Sequence, residues 1–145
     1  MIRKEFIQTR IENLDQYLSE LEEFLEHHTD TEIKESTTFQ RVLERVVQLV
    51  VDEALTINSH IVKYEELHTP DDYFSTFLIL AKNEVISHDL AERIAPSVGM
   101  RNRLVHEYET VDIDKLLRGA RKGARYYREY ISQIGAFLEK RTREA

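Results

Sequence analysis

The sequence predicts an all-α fold: an antiparallel up-and-down bundle of three long helices, with shorter helices ahead of the last one. Three observations carry this prediction. Glycine and proline are scarce, four and two in 145 residues, which favours long helices over turn-rich β structure. Apolar residues recur at steps of three and four along most of the chain, the spacing of one helical face. No segment reads as a strand, and there is no internal repeat or low-complexity linker.

The first helix spans about residues 2–28, where Ile7, Ile11, Leu14, Leu18, Leu21 and Leu25 form one apolar stripe. The second spans about 38–66, and Thr37 with Gln40 three residues later has the pattern of a capping box. Its apolar set, from Phe39, Val42 and Leu43 through Val50 and Leu55 to Ile61, wraps more than one face. Such a helix is packed on more than one side, so it belongs at the centre of the bundle or in a subunit interface. Thr69-Pro70-Asp71-Asp72 places a cap, a first-turn proline and acids ahead of a short helix ending near Lys82. Asp89 is the candidate cap of another short helix, Leu90 to Ala95, after which Pro96 breaks or restarts the helix. A further helix covers Ser97 to Glu107. Val111-Asp112-Ile113 opens the last one, in which Ile113, Leu116, Ala120, Ala124, Tyr127, Ile131, Ile134 and Leu138 hold helical spacing to about residue 140. Arg141 to Ala145 are expected to fray.

Residues 1–145 are the length of one domain, enough to bury a core without staples. The chain has no cysteine, which removes disulfide and thiolate chemistry and fits a reducing, cytoplasmic setting. No run approaches the roughly 20 apolar residues of a membrane span, and Met1 to Phe6 lack a signal-peptide core. No membrane association is expected. A formal net charge of −7 argues against a general nucleic-acid binder. The charge is uneven, however: acids crowd residues 1–30, and arginines and lysines crowd the last third. The plain reading of Lys115 to Arg128 is a solvated helix face. The alternative is a basic surface for RNA, with Arg103, Arg118 and Arg121 as candidate contacts.

The most informative stretch lies in that basic part: Arg101-Asn102-Arg103-Leu104-Val105-His106-Glu107-Tyr108. It holds a permanent cation, a group that titrates near neutrality and a phenol within two helical turns. The chemistry that suits this set is RNA cleavage without a metal. Histidine serves as general base toward the ribose 2′-OH or as general acid toward the departing 5′-oxygen. Arginine, always protonated, stabilises the charge growing on the phosphoryl oxygens. Asn102 orients the phosphate or holds the arginine. On a continuous helix Arg101 and Tyr108 share a face about 10 Å apart, but Arg101 and His106 diverge by about 140°. Three arrangements reconcile the pair: the arginine swings across, the helix unwinds at His106, or a second copy across a two-fold axis supplies the other half.

The remaining histidines say less. His27-His28 caps the carbonyls of an acidic helix, and His60 and His68 are isolated. Glu84 and His88 have metal-ligand spacing, but two ligands without a third do not make a site. No metal and no cofactor are expected. No phosphate-cradling glycine loop and no Gly-Ser pair of the nucleotidyltransferase kind occur, so the chain is not the nucleotide-binding enzyme of a pair.

The octet resembles the Arg-x4-6-His pattern of HEPN domains, with a polar residue after the arginine. It also resembles the longer Arg-x4-His-x-Tyr form of HepT-like toxins from HEPN/MNT toxin–antitoxin modules. Pro70-Asp71-Asp72-Tyr73-Phe74, Leu78-Ile79-Leu80 and the approach from Ala91 to Met100 look similar too. Pro96 has no place in the pattern. The resemblance implies a HEPN-like helical domain over 1–145, forming a homodimer whose two motifs face each other. It implies a toxin that is a metal-independent ribonuclease acting on tRNA or mRNA. Arg101 and His106 would be the catalytic pair, with Asn102 as their polar companion. Tyr108 would be the tyrosine that a partner MNT nucleotidyltransferase antitoxin modifies with AMP to silence the toxin. The rival reading is a non-catalytic HEPN-like subunit that binds and assists a nucleotidyltransferase. A plain structural bundle fits the helices and leaves the octet unexplained.

Overall fold

The computed structural model describes residues 3–106 and 111–144, and every regular element within them is an α-helix. In chain order these are α1 (Lys4–His27), α2 (Asp30–Glu35), α3 (Thr37–Tyr64), α4 (Tyr73–Lys82), α5 (His88–Ile94), α6 (Pro96–Val105) and α7 (Ile113–Glu144). The expected all-α bundle with three long helices is the observed one, formed by α1, α3 and α7. Cross-helix contacts fix their directions. Arg3 and Arg10 at the start of α1 meet His60 and Glu53 of α3, so those helices are antiparallel. Arg121 and Arg128 of α7 meet Asp30 and Glu22 in turn, so α7 also runs against α1. Tyr130 and Arg141 of α7 meet Asn58 and Glu65, which makes α3 and α7 parallel.

The apolar stripes explain the packing. Ile7, Leu14, Leu18, Leu21 and Leu25 of α1 are buried. The broad apolar set of α3 is buried on several sides because α1, α2, α4, α6 and α7 all pack on it. Of the two places the sequence left for this helix, it takes the centre of the bundle, so its apolar excess gives no separate argument for a subunit interface. One polar chain crosses the core. Tyr130 donates its hydroxyl proton to Asn58 Oδ1 at 2.5 Å, and the Asn58 amide donates to Thr76 Oγ1 at 3.1 Å. The Thr76 hydroxyl donates to the Tyr73 carbonyl at 2.7 Å. Asn58 and Thr76 are the buried polar residues of the core. Each is satisfied by this chain, as burial of a polar group requires.

Several helix ends differ from the sequence expectation, each for a capping reason. The capping box belongs to the unforeseen α2: Thr29 Oγ1 accepts from the Glu32 N–H at 3.1 Å, and Glu32 Oε1 accepts from the Thr29 N–H at 3.2 Å. Thr37 and Gln40 form no box. Ser36 caps α3, and the Gln40 amide donates to the carbonyls of Ile33 and Lys34 at the end of α2. Asp72, not Thr69, caps α4, accepting from the Ser75 N–H at 2.8 Å. Ser87, not Asp89, caps α5. The expected fraying of 141–145 fails through Glu144, because Arg141 bridges Glu65, the C-cap of α3, at 2.5 Å and helical structure continues. Among the described residues, no helix is long and apolar enough to cross a membrane.

Candidate active site

The site begins with the way α5 becomes α6. Ala95 keeps helical angles (φ −55°, ψ −38°) and Pro96 takes the first position of α6, where its missing N–H is harmless. Pro96 therefore restarts the helix. Val98 is buried and fixes the inner face, while Ser97 Oγ bonds the Ile94 carbonyl and sits 2.6 Å from the Tyr127 hydroxyl. Burial holds that phenol far above its usual pKa, so it stays a neutral partner. This anchoring leaves Arg101 half-buried and Asn102 and His106 exposed on the other side of α6.

Arg101 is held at three points. Its Nε–H donates to Asp52 Oδ1 at 2.6 Å, an ion pair whose side chains are 18% and 34% exposed. Its Nη1 donates to Asn102 Oδ1 at 3.1 Å. Its guanidinium carbon lies 5.6 Å from the ring centre of Tyr73, within cation–π range. Asn102 thus holds the arginine, one of the two roles the sequence allowed it. His106 is the C-cap of α6 (φ −100°, ψ 24°), and its backbone N–H makes the last helical bond, to the Asn102 carbonyl, at 2.9 Å. The helix stops at the histidine. Its Cα still follows the helical path, so the backbone divergence of about 140° from Arg101 remains, and both side chains nonetheless line one cleft.

Arg101, Asn102 and His106 line one cleft of about 1020 Å³ between the C-terminal half of α3, the segment after it, the start of α4 and the end of α6. Lys63 adds a second cation, and Tyr73 and Phe74 present exposed rings. Glu66, Asp71 and Asp72 also line it. Asp72 is held below the usual carboxylate range by the Ser75 backbone N–H it caps, so it is ionised at neutral pH. With acids and cations interspersed, the cleft is suited to one phosphate at Arg101 rather than to a long polyanion. The arginine offers the phosphate donors beyond those bound to Asp52 and Asn102, and the exposed imidazole offers a proton-transfer group nearby.

The other residues singled out from the sequence fall elsewhere. Arg103, Arg118 and Arg121 are exposed and do not line the cleft. Arg121 pairs with Asp30, and Lys34 binds Asp114 at 2.6 Å on the same helix as Arg118. Glu107 and Tyr108 lie outside the described residues. His27 Nδ1 lies 2.8 Å from the Glu23 carbonyl, the local role expected of it. Among the described residues no group of three or more His, Cys, Asp or Glu is placed to hold a metal. Asp52 is the residue that sequence reasoning missed. It lies 49 positions before Arg101 in the chain, and the available signal was an acid set within the strongly apolar run Leu49-Val50-Val51 to Ala54-Leu55.

Comparison with known proteins places the chain in a family. Residues 14–134 match the family model described as Ribonuclease HepT-like. The chain is 34% identical over 132 residues to the tRNA nuclease HepT of Aphanizomenon flos-aquae, covering 91% of this chain and 89% of that one. It is 24% identical over 106 residues to the mRNA nuclease HepT of Shewanella oneidensis, covering 73% and 80%. Among solved structures, the fold is similar to that of the tri-AMPylated HEPN toxin of Shewanella oneidensis in complex with MNT antitoxin. The TM-score is 0.81 at 22% identity, over 90% of this chain and 96% of that one.

Proposed function

Because the chain belongs to the HepT-like family of ribonucleases, we propose that it is the toxin of a toxin–antitoxin pair and cleaves RNA by metal-independent transesterification. The observation that carries this reading is the presence of Arg101, Asn102 and His106 in one cleft, with Arg101 fixed by Asp52. In the reaction a general base removes the ribose 2′-OH proton, and the oxygen attacks the adjacent phosphorus. The P–O5′ bond breaks, and a general acid protonates the departing 5′-oxygen. Arg101 neutralises the charge that develops on the non-bridging oxygens. His106 is the proton-transfer group.

The cleft lining includes a single histidine among the described residues, whereas the reaction needs both an acid and a base. A second copy related by a two-fold axis would supply the other imidazole, so the active form is read as a homodimer. The substrate is RNA, tRNA or mRNA, as in the relatives' names. The partner is an MNT-type nucleotidyltransferase antitoxin, which silences the toxin by attaching AMP to Tyr108. The phosphate ester would then occupy the anion site with its own charge.

The deciding experiment incubates the purified protein with cellular RNA, with and without EDTA, beside His106→Ala. Cleavage that survives chelation and is lost in the variant is the expected result. An inert wild type of normal fold would favour the non-catalytic subunit instead. Intact mass after incubation with ATP and a neighbouring nucleotidyltransferase tests the modification. A gain of AMP on wild type and none on Tyr108→Phe is expected, and an adduct at another residue would remove Tyr108 from the scheme.

A further inference from the structure

Two aromatic rings stand open at the mouth of the cleft. Tyr73 and Phe74 are 51% and 44% exposed, although each is a large apolar side chain in the first turn of α4. Their backbone is far from loose. Asp72 caps the turn through the Ser75 N–H, and Thr76 donates to the Tyr73 carbonyl from within the buried chain that runs through Asn58 to Tyr130. The fold thus pins the peptide of Tyr73 into the core while its ring lies in solvent. A backbone already held in place has little freedom left to lose when a flat partner stacks on the ring it carries.

We propose that Tyr73, with Phe74 beside it, is a nucleobase platform that stacks a base of single-stranded RNA next to the phosphate held by Arg101. This rests on the ribonuclease reading above and deepens it. A nucleotide carries a flat ring and a phosphate on one sugar. The cleft sets a guanidinium over one face of a flat ring, 5.6 Å from ring centre to guanidinium carbon, which leaves the other face for a base. Half of the Tyr73 surface remains uncovered after that contact, leaving room for a second stacked partner. Lys63 lines the same cleft and adds to its positive charge. Stacking on an aromatic tolerates any base, because every base has a π-face. The platform therefore requires an unpaired nucleotide without dictating its identity.

The test measures binding of a fluorescein-labelled 2′-O-methyl oligoadenylate, which lacks the 2′-OH and is not cleaved, by fluorescence anisotropy. A base-free 2′-O-methylribose–phosphate oligomer of equal length is the second probe. Tyr73→Ala and Tyr73→Leu should bind oligoadenylate roughly tenfold or more weakly, in line with the loss of one stacked base. Tyr73→Phe should bind it as wild type does, and the Ala and Leu variants should lose clearly more affinity for oligoadenylate than for the base-free oligomer, where only the ring's contact with Arg101 is missed. The Leu variant keeps apolar bulk and so guards against a folding defect. Oligoadenylate binding unchanged in Tyr73→Ala and Tyr73→Leu would overturn the platform, as would equal weakening toward the base-free oligomer. A change in light-scattering mass in these variants would instead make the ring a contact between copies, and also overturns it. If wild type neither binds oligoadenylate nor cleaves RNA, the ribonuclease reading itself fails. If wild type does both and only the Tyr73 dependence is missing, the platform alone fails.

Discussion

Asp52 Oδ1 accepts a 2.6 Å hydrogen bond from Arg101 Nε, joining the middle of α3 to the second half of α6. The contact uses the edge of the guanidinium that carries Nε and so turns the Nη groups toward Asn102 and the cleft. A charge-assisted bond this short fixes orientation as well as position. Asp52→Ala should leave Arg101 charged but unaligned. We expect RNA cleavage to fall on the order of tenfold or more, about 1.4 kcal/mol in the barrier per decade, with most of the loss in kcat. Loss of the half-buried pair should also lower stability by about 1–2 kcal/mol. Asp52→Glu should recover part of the activity, since it keeps the charge. Equal rates for Asp52→Ala and wild type on the same RNA would show that Arg101 needs no such partner.

Removal of His106 probes the chemistry with little disturbance of packing, because this side chain is exposed at the end of α6. His106→Ala should keep its melting temperature within a degree or so and lose RNA cleavage. Arg101→Ala should cost roughly 2–4 kcal/mol of transition-state stabilisation, the loss typical of one oxyanion donor, and leave Asp52 without its cation. Residual activity above one tenth of wild type in either protein would argue against the assigned role. Neither phenotype should depend on added or chelated divalent metal.

The helical fold and the octet were legible because both are local signals. Steps of three and four among Leu14, Leu18, Leu21 and Leu25 reveal a stripe without knowledge of its partner. The octet keeps Arg101, Asn102 and His106 within six residues of one another. Helix ends were less legible, since Ser36, Asp72 and Ser87 compete with neighbouring polar residues, and backbone angles choose among them. Asp52 could not be read at all as an Arg101 partner. Its role depends on α3 crossing α6, a tertiary fact with no spacing rule. Tyr73 is similar: the sequence shows an aromatic after a cap, and only the packed bundle places it beside the arginine.

The Tyr130–Asn58–Thr76 chain makes a stability prediction. Tyr130 and Asn58 are fully buried, and the phenol donates to Asn58 Oδ1 while lying 3.2 Å from the Ala54 carbonyl. Tyr130→Phe keeps the ring's packing against Phe77 and Tyr127 but leaves the buried Asn58 oxygen without this donor. The cost of an unsatisfied buried acceptor is about 1–3 kcal/mol. Urea denaturation should show a lower midpoint with an unchanged slope. An unchanged midpoint would mean that water or a rotated amide replaces the hydroxyl at no cost.

The final prediction concerns acid and the start of α1. His60 Nε2 accepts the Arg3 backbone N–H at 3.2 Å, and the imidazole stacks on Phe6 with ring centres 4.6 Å apart. An acceptor nitrogen must be unprotonated, so the folded chain favours the neutral ring. Burial, followed by the nearby charges of Arg3 and Lys63, lowers the His60 pKa below its usual value. In the unfolded chain the ring titrates near pH 6.5. Above that pH both states are neutral and His60 adds no pH dependence. As pH falls through about 6.5 the unfolded state takes up its proton first, so stability declines until the folded ring also protonates. Melting temperatures measured at about pH 7.5, 6.5 and 5.5, a range that brackets the unfolded titration, should therefore fall with acid. His60→Phe retains a ring against Phe6 and Tyr64 without a titrating nitrogen, so its decline over the same range should be shallower. Parallel declines in the two proteins would assign the acid sensitivity to other groups and leave His60 as a stacking residue only.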